Sequence, residues 1–152
     1  MVVLKSIAVA IALMIPHIKT SEGLKTVAYQ ERGGSPTVCY GHTGRDVKVG
    51  KHYSQAECES LLHKDLLNSA YIVSARNPEL TNNPVQLASA LGLEYNIGST
   101  RYRSSQVAKY FSQGNFKLAC KSILKYTYSH HKRLKGLYKR RVIEYDICVS
   151  NL

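Results

Sequence analysis

The sequence predicts an α+β domain in which a small sheet precedes a larger set of helices. Two observations carry that prediction. The stretch from Tyr29 to Val49 is rich in Gly, Thr and Val and contains Gly33-Gly34, Pro36, Gly41 and Gly44, the punctuation of short strands joined by tight turns. From Ser54 onward the apolar residues recur at helical spacing, with Gly and Pro marking the breaks. Strands gathered early and helices gathered late give segregated layers rather than alternating βαβ units.

The first element is apolar. Val2 to Ile15 is interrupted only by Lys5 and Ser6. Its unbroken part, Ile7 to Ile15, is short for a membrane span of about 20 residues. It has the length of a signal-peptide core, with Lys5 as the flanking charge. Pro16-His17-Ile18-Lys19 offers no small-residue cleavage site, so residues 1–16 read as an uncleaved, weakly hydrophobic export signal that makes transient membrane association. The alternative is a short helix packed on the body. Residues 17–152 then form the main domain, opening with a short helix from Pro16 to about Glu22 that Gly23 stops.

The next strong signal is Ser54-Gln55-Ala56-Glu57, a capping box that opens a long helix from about Gln55 to Arg76. Asn77-Pro78 ends it. Pro84 starts a helix to about Tyr95, whose apolar run Leu87 to Leu93 marks it as buried. Asn96-Ile97-Gly98 supplies a C-cap. Further helices fit Ser104 to Phe111, Asn115 to Tyr126 and Gly136 to Val149.

The net charge is +11, and nine Lys or Arg residues lie between Lys117 and Arg141 with no Asp or Glu from Glu94 to Glu144. This surplus points to a polyanionic partner or to a solvated helical face. No nucleic-acid motif accompanies it, so nucleic acid is set aside. Cys39, Cys58, Cys120 and Cys148 lack zinc-site spacing, and the sequence does not choose among three disulfide pairings and free buried thiols. No third ligand joins His130-His131, which read as surface loop residues, and no metal or cofactor is expected.

The chemistry is concentrated between residues 22 and 44. An acid ends the first helix in Ser21-Glu22-Gly23-Leu24; Glu31 follows nine residues later and Thr37 six after that, leading into Val38-Cys39-Tyr40-Gly41-His42-Thr43-Gly44. A helix end followed by a hairpin can set three such side chains on the walls of one cleft. Glycosidic cleavage needs a proton donor at the leaving oxygen and a second group that activates water or stabilises the sugar cation.

This ordered set resembles the active-site region of the phage lysozyme family, and most nearly the lambdoid endolysins with a signal-arrest-release segment. The resemblance runs through Asp46-Val47, Gly50, the Ser54 helix, Tyr95-Asn96-x-Gly98 and Gly136-Leu137-x-x-Arg140-Arg141-x-x-Glu144, nearly the whole chain. It implies a lysozyme-like fold, with a sheet lobe and a helical lobe joined by a long helix. It also implies a muramidase that hydrolyses the β-1,4 bond between N-acetylmuramic acid and N-acetylglucosamine in peptidoglycan and so lyses the host. Such an enzyme would act as a monomer, exported to the periplasm and first tethered to the inner membrane. Glu22 would be the general acid, partly buried to keep its proton. Glu31 and Thr37 would hold the attacking water for an inverting reaction. His42 would brace the hairpin, Asn96 would line the cleft or cap its helix, and Arg141 or Arg140 would approach Glu22. Two departures stand out. The family pattern has Asp where Glu31 stands, and misplacing a reacting group by about an ångström can cost about a hundredfold in rate; a catalytically impaired, peptidoglycan-binding module is therefore the competing reading. The usual Trp near Tyr126 is absent.

Overall fold

The computed structural model of the chain describes residues 2–152. One helix, α1 (Val2–Glu22), runs from the apolar segment straight into the acid. The sequence suggests a break at Pro16, but the helix continues through it; proline removes one backbone hydrogen bond, and the apolar stripe on either side keeps its register against the body. Ile7, Ala10, Ile11, Met14 and Ile18 are all buried, spaced for one helical face. Val3, Leu4, Val9 and Leu13 remain exposed on the other. Packing on the body, the alternative to the export-signal reading, is what this structure contains, and the helix is also long and apolar enough, by composition, to cross a membrane.

Three strands follow: β1 (Lys25–Tyr29), β2 (Thr37–Cys39) and β3 (His42–Thr43), antiparallel in that order. Tyr29 pairs with Thr37, and Thr37 with Thr43. Gly41 makes the turn between β2 and β3 at φ +79°, a conformation that favours glycine. The long helix α2 (Gln55–Arg76) starts where the capping box requires, the Ser54 hydroxyl accepting from the Glu57 amide at 3.0 Å. It is the shared wall between the sheet and the helical lobe.

A 3₁₀ turn (Pro78–Asn82) leads to α3 (Pro84–Ile97), which is buried from Gln86 to Glu94. A short α4 (Ser99–Arg103) follows, then α5 (Gln106–Ser112), α6 (Phe116–Ile123) and α7 (Lys135–Val149). Between α6 and α7 lies a two-stranded hairpin, β4 (Tyr128–Ser129) and β5 (Lys132–Arg133). His130 and His131 form its exposed turn, both with positive φ. The α4 helix, the 3₁₀ turn and this hairpin are too short to show a hydrophobic period, which is why the pattern of the sequence does not announce them.

The cysteines pair as Cys39–Cys58 and Cys120–Cys148. The first ties β2 to α2; the second ties α6 to α7. The centre of the helical lobe is an ionic group. Arg141 and Glu144 of α7 are both fully buried. Arg141 Nη2 donates to Glu144 Oε2 at 3.1 Å, and Arg141 Nε lies 2.7 Å from Glu144 Oε1 without hydrogen-bond alignment. Glu144 Oε2 also sits 3.0 Å from His17 Nε2, so this carboxylate holds α1 against α7. Gly92 of α3 lies beneath both: a Cβ there would run into Met14 Cε and fall 3.3 Å from Glu144 Oε2.

Candidate active site

Glu22 is the last residue of α1, placed where the helix meets the sheet lobe. Its side chain is 20% exposed. Arg140 Nη1 donates to Glu22 Oε1 at 2.9 Å, and Arg140 Nη2 donates to the Ser21 carbonyl at 2.8 Å. One guanidinium thus fixes both the carboxylate and the end of its helix. Glu22 Oε2 faces the Gly41 turn so closely that a Cβ on Gly41 would lie 2.9 Å from it. Glycine at position 41 therefore serves two needs, the positive φ and the close approach.

The approach to Glu22 is made by Arg140 and not by Arg141. Neighbours on a helix point about 100° apart, so when Arg140 faces the cleft Arg141 turns inward. Fully buried Arg141 cannot touch a sugar. Its Nη1 donates instead to Asn96 Oδ1 at 3.0 Å and to the Tyr126 carbonyl at 3.4 Å. Asn96 is not the cap of α3 either: Gly98 occupies that position. Asn96 lines a recess of about 130 Å³ with Ile97, Arg101, Tyr126 and Tyr128, so Tyr126, near where the resemblance expects a Trp, lies in the lining of that recess.

A second recess of about 220 Å³ lies between the lobes, lined by Gly41 and Thr43 from the sheet, Asp65, Asn68 and Ser69 from α2, and Glu94, Tyr95 and Gly98 from the end of α3. Tyr95 Oη donates to the Tyr40 carbonyl at 2.6 Å, closing the α3 end onto the sheet. Burial first, then the charges of Asp65 and Glu22, pushes the Tyr95 phenol far above its ordinary value. It stays a hydrogen-bond donor at neutral pH and is not an acid–base group.

His42 is buried in β3 and braces the same region. Its Nδ1 lies 2.8 Å from Asp65 Oδ2 and its Nε2 lies 3.1 Å from Asp46 Oδ2. Burial opposes a charge on this ring, but the two carboxylates outweigh it and hold the imidazole above its ordinary value. Both ring nitrogens facing carboxylates is the arrangement that suits an imidazolium. This joins the hairpin to α2.

Glu31 and Thr37 stand on the sheet side. Thr37 is half-buried at the start of β2, with its hydroxyl donating to the Ser35 carbonyl at 3.0 Å. Glu31 lies exposed on the loop between β1 and β2, and among the described residues its carboxylate has no hydrogen-bond partner. Glu22, Arg140, Gly41 and Tyr95 are thus brought into one cluster, while Glu31 and Thr37 stand on the sheet side and make no hydrogen bond to it among the described residues. Of the two arginines that the resemblance offers beside Glu22, the structure selects Arg140; Glu94 is a lining residue for which the sequence gives little signal, since a charged residue at a helical position reads equally well as a solvated face.

The family model for phage lysozyme matches residues 19–144. The chain belongs to the phage lysozyme family. The SAR-endolysin of Enterobacteria phage P21 is 40% identical over 130 residues, covering 84% of this chain and 77% of the relative. A P22 lysozyme point mutant is similar in structure, with a TM-score of 0.75 at 26% identity over 92% of this chain and 94% of that one. The active form of the P1 phage endolysin shares the fold, with a TM-score of 0.77 at 18% identity over 95% of this chain and 93% of that one. Both the α+β architecture and the two-lobed, lysozyme-like arrangement expected from the sequence are therefore present.

Proposed function

We propose that the chain is an endolysin that hydrolyses the β-1,4 bond between N-acetylmuramic acid and N-acetylglucosamine by direct displacement. Glu22 donates its proton to the leaving glycosidic oxygen as the C–O bond breaks. A water on the opposite face of the sugar, held by Glu31 and Thr37, attacks the anomeric carbon and passes a proton to the Glu31 carboxylate. The product carries inverted configuration, as expected when the second carboxylate serves as base rather than nucleophile. The observation that carries this reading is the placement of Glu22: a half-buried carboxyl at a helix end, oriented by Arg140, beside a polar groove between two lobes.

The same reading accounts for the two ends of the charge and apolar patterns. The apolar α1 would serve first as a membrane tether during export to the periplasm, and the basic C-terminal half would hold the released protein on the anionic wall. Leu in place of Ala8, Ala10 and Ala12 would then trap the protein in the membrane fraction; unchanged recovery in the soluble fraction counts against the tether.

The test of catalysis is lysis of chloroform-treated Gram-negative cells. The parent clears the suspension and Glu22→Gln does not; equal clearing by both removes Glu22 as the acid. The exposed, unpartnered Glu31 favours one competing reading, a wall-binding module without catalysis. That reading gains if neither protein clears cells while both sediment with purified sacculi.

A further inference from the structure

The stretch that leads from β5 into α7 leaves charged and apolar groups uncovered side by side. Arg133 ends β5, Leu134 takes the N-cap position of α7, and Lys135, Tyr138 and Lys139 follow in its first turns. Leu134 and Tyr138 stand four residues apart, as do Lys135 and Lys139, the spacing that sets each pair in one row along a helix. All five residues are exposed, and Leu134 and Tyr138 each keep 43% of their surface open to solvent. Arg133 Cζ lies over the Tyr138 ring, 4.8 Å from its centre. With Leu134 and Lys135 these two line a recess of about 410 Å³. No Asp or Glu occurs between Glu94 and Glu144, and among the described residues no carboxylate pairs with Arg133, Lys135 or Lys139. The recess lies outside the cleft. Tyr138 and Arg140 are about 200° apart around the helix, so with Arg140 turned to Glu22 Tyr138 points nearly the other way.

We propose that this patch docks the protein on the surface of an anionic phospholipid bilayer. Three cations without counter-charge attract anions, and anionic headgroups supply them. Leu134 and Tyr138 call for an apolar boundary, and the headgroup region supplies that too: a tyrosine there keeps its ring in apolar surroundings and its hydroxyl in water. Arginine and lysine stems lie along such a boundary while their charged ends stay hydrated. A soluble polyanion would match the cations but offers Leu134 no apolar layer. The attraction to the wall proposed above draws on the charge of the whole basic half. The patch adds a contact of defined position, on a face that leaves the groove beside Glu22 uncovered. Docking does not depend on catalysis, so its test stands whether or not the protein cuts glycan.

The experiment is co-sedimentation of the intact protein with vesicles of phosphatidylcholine and with vesicles that also carry phosphatidylglycerol, set beside binding of soluble polyphosphate. The parent is expected to sediment with the anionic vesicles and not with the neutral ones. A Lys or Arg near an anionic surface strengthens binding about fivefold, so the double variant Arg133→Gln, Lys135→Gln is expected to bind about 25-fold more weakly. The same charge change on the exposed sheet lobe, Arg45→Gln with Lys48→Gln, is expected to cost less than about threefold, since salt screens charges held away from the contact. Leu134→Ser removes the apolar contact and gives α7 the side-chain cap it lacks, so the fold is kept. It is expected to weaken vesicle binding about fivefold and to leave polyphosphate binding unchanged. A parent that ignores anionic vesicles, or sediments as well with neutral ones, overturns the proposal. Equal losses in the patch and sheet-lobe variants overturn it as well, because the attraction is then one of net charge alone. So does a Leu134→Ser protein that binds vesicles as tightly as the parent, which makes the patch a site for soluble polyanions.

Discussion

Replacing Glu144 by Gln removes one charge from the centre of the helical lobe while keeping the volume. In the parent, that carboxylate is shared by Arg141 and by His17, so it neutralises a fully buried guanidinium and also fastens α1. The variant leaves Arg141 without a counter-charge, facing only the neutral oxygens of Asn96, Tyr126 and the new amide. Breaking a buried pair by removing one partner costs about 3–5 kcal/mol, because a charge is left uncompensated in the interior. Against a total stability of about 5–15 kcal/mol this is a large loss. For a chain of this size each kcal/mol shifts Tm by about 2–4 °C, so the expected drop is about 6–20 °C, read by calorimetry and checked by urea unfolding. Asp146→Asn makes the same charge change at an exposed position of the same helix and is expected to stay within about 0.5 kcal/mol. The double variant Arg141→Met, Glu144→Leu removes both charges and should recover much of the loss. A Glu144→Gln protein less than about 1 kcal/mol weaker than the parent would refute the claim that this ion group holds the helices together.

Three further outcomes follow from the cleft. Gly41→Ala forces a Cβ into the space of the Glu22 carboxylate and onto an unfavourable φ; lytic rate should fall about a hundredfold, and a rate within twofold of the parent argues against that contact. Arg140→Ala frees the Glu22 carboxylate but breaks only a partly exposed ion pair, worth about 0–1 kcal/mol; kcat should fall strongly while urea midpoints barely move, and a matched loss of both contradicts a positioning role. For His42 the folded imidazole titrates above its ordinary value, so its stabilisation is complete below about pH 6.5 and is lost as pH rises through the folded value. His42→Asn should therefore lower Tm more at pH 5.5 than at pH 8.5; the opposite order refutes the charged bridge to Asp65 and Asp46.

Much of this arrangement is legible in the sequence because the physics is local. The Ser54 capping box fixes the start of α2, the apolar run from Leu87 to Leu93 fixes a buried helix, and the order of Glu22, Glu31 and Thr37 points to the region proposed here as catalytic. What is not legible depends on packing across the chain. Position 140 and position 141 are both arginines, and only the rotation of α7 against α3 decides which faces Glu22 and which is buried with Glu144. The cysteine pairs are likewise fixed by the meeting of β2 with α2 and of α6 with α7. Pro16 reads as a boundary, yet the apolar stripe on both sides of it carries the helix through.

Gly92 constrains how this chain can change. The bed it provides is shared by a methionine tip and a carboxylate that belong to two other helices. Even alanine at position 92 demands that Met14 yield first. The route to a bulkier residue is ordered, with a shorter side chain at position 14 as the permissive step. Taken in the reverse order, the same two changes pass through a protein in which the Met14 tip must first swing out of its place. The smallest residue in the interior is thus the one that dictates the sequence of mutational steps open to its neighbours.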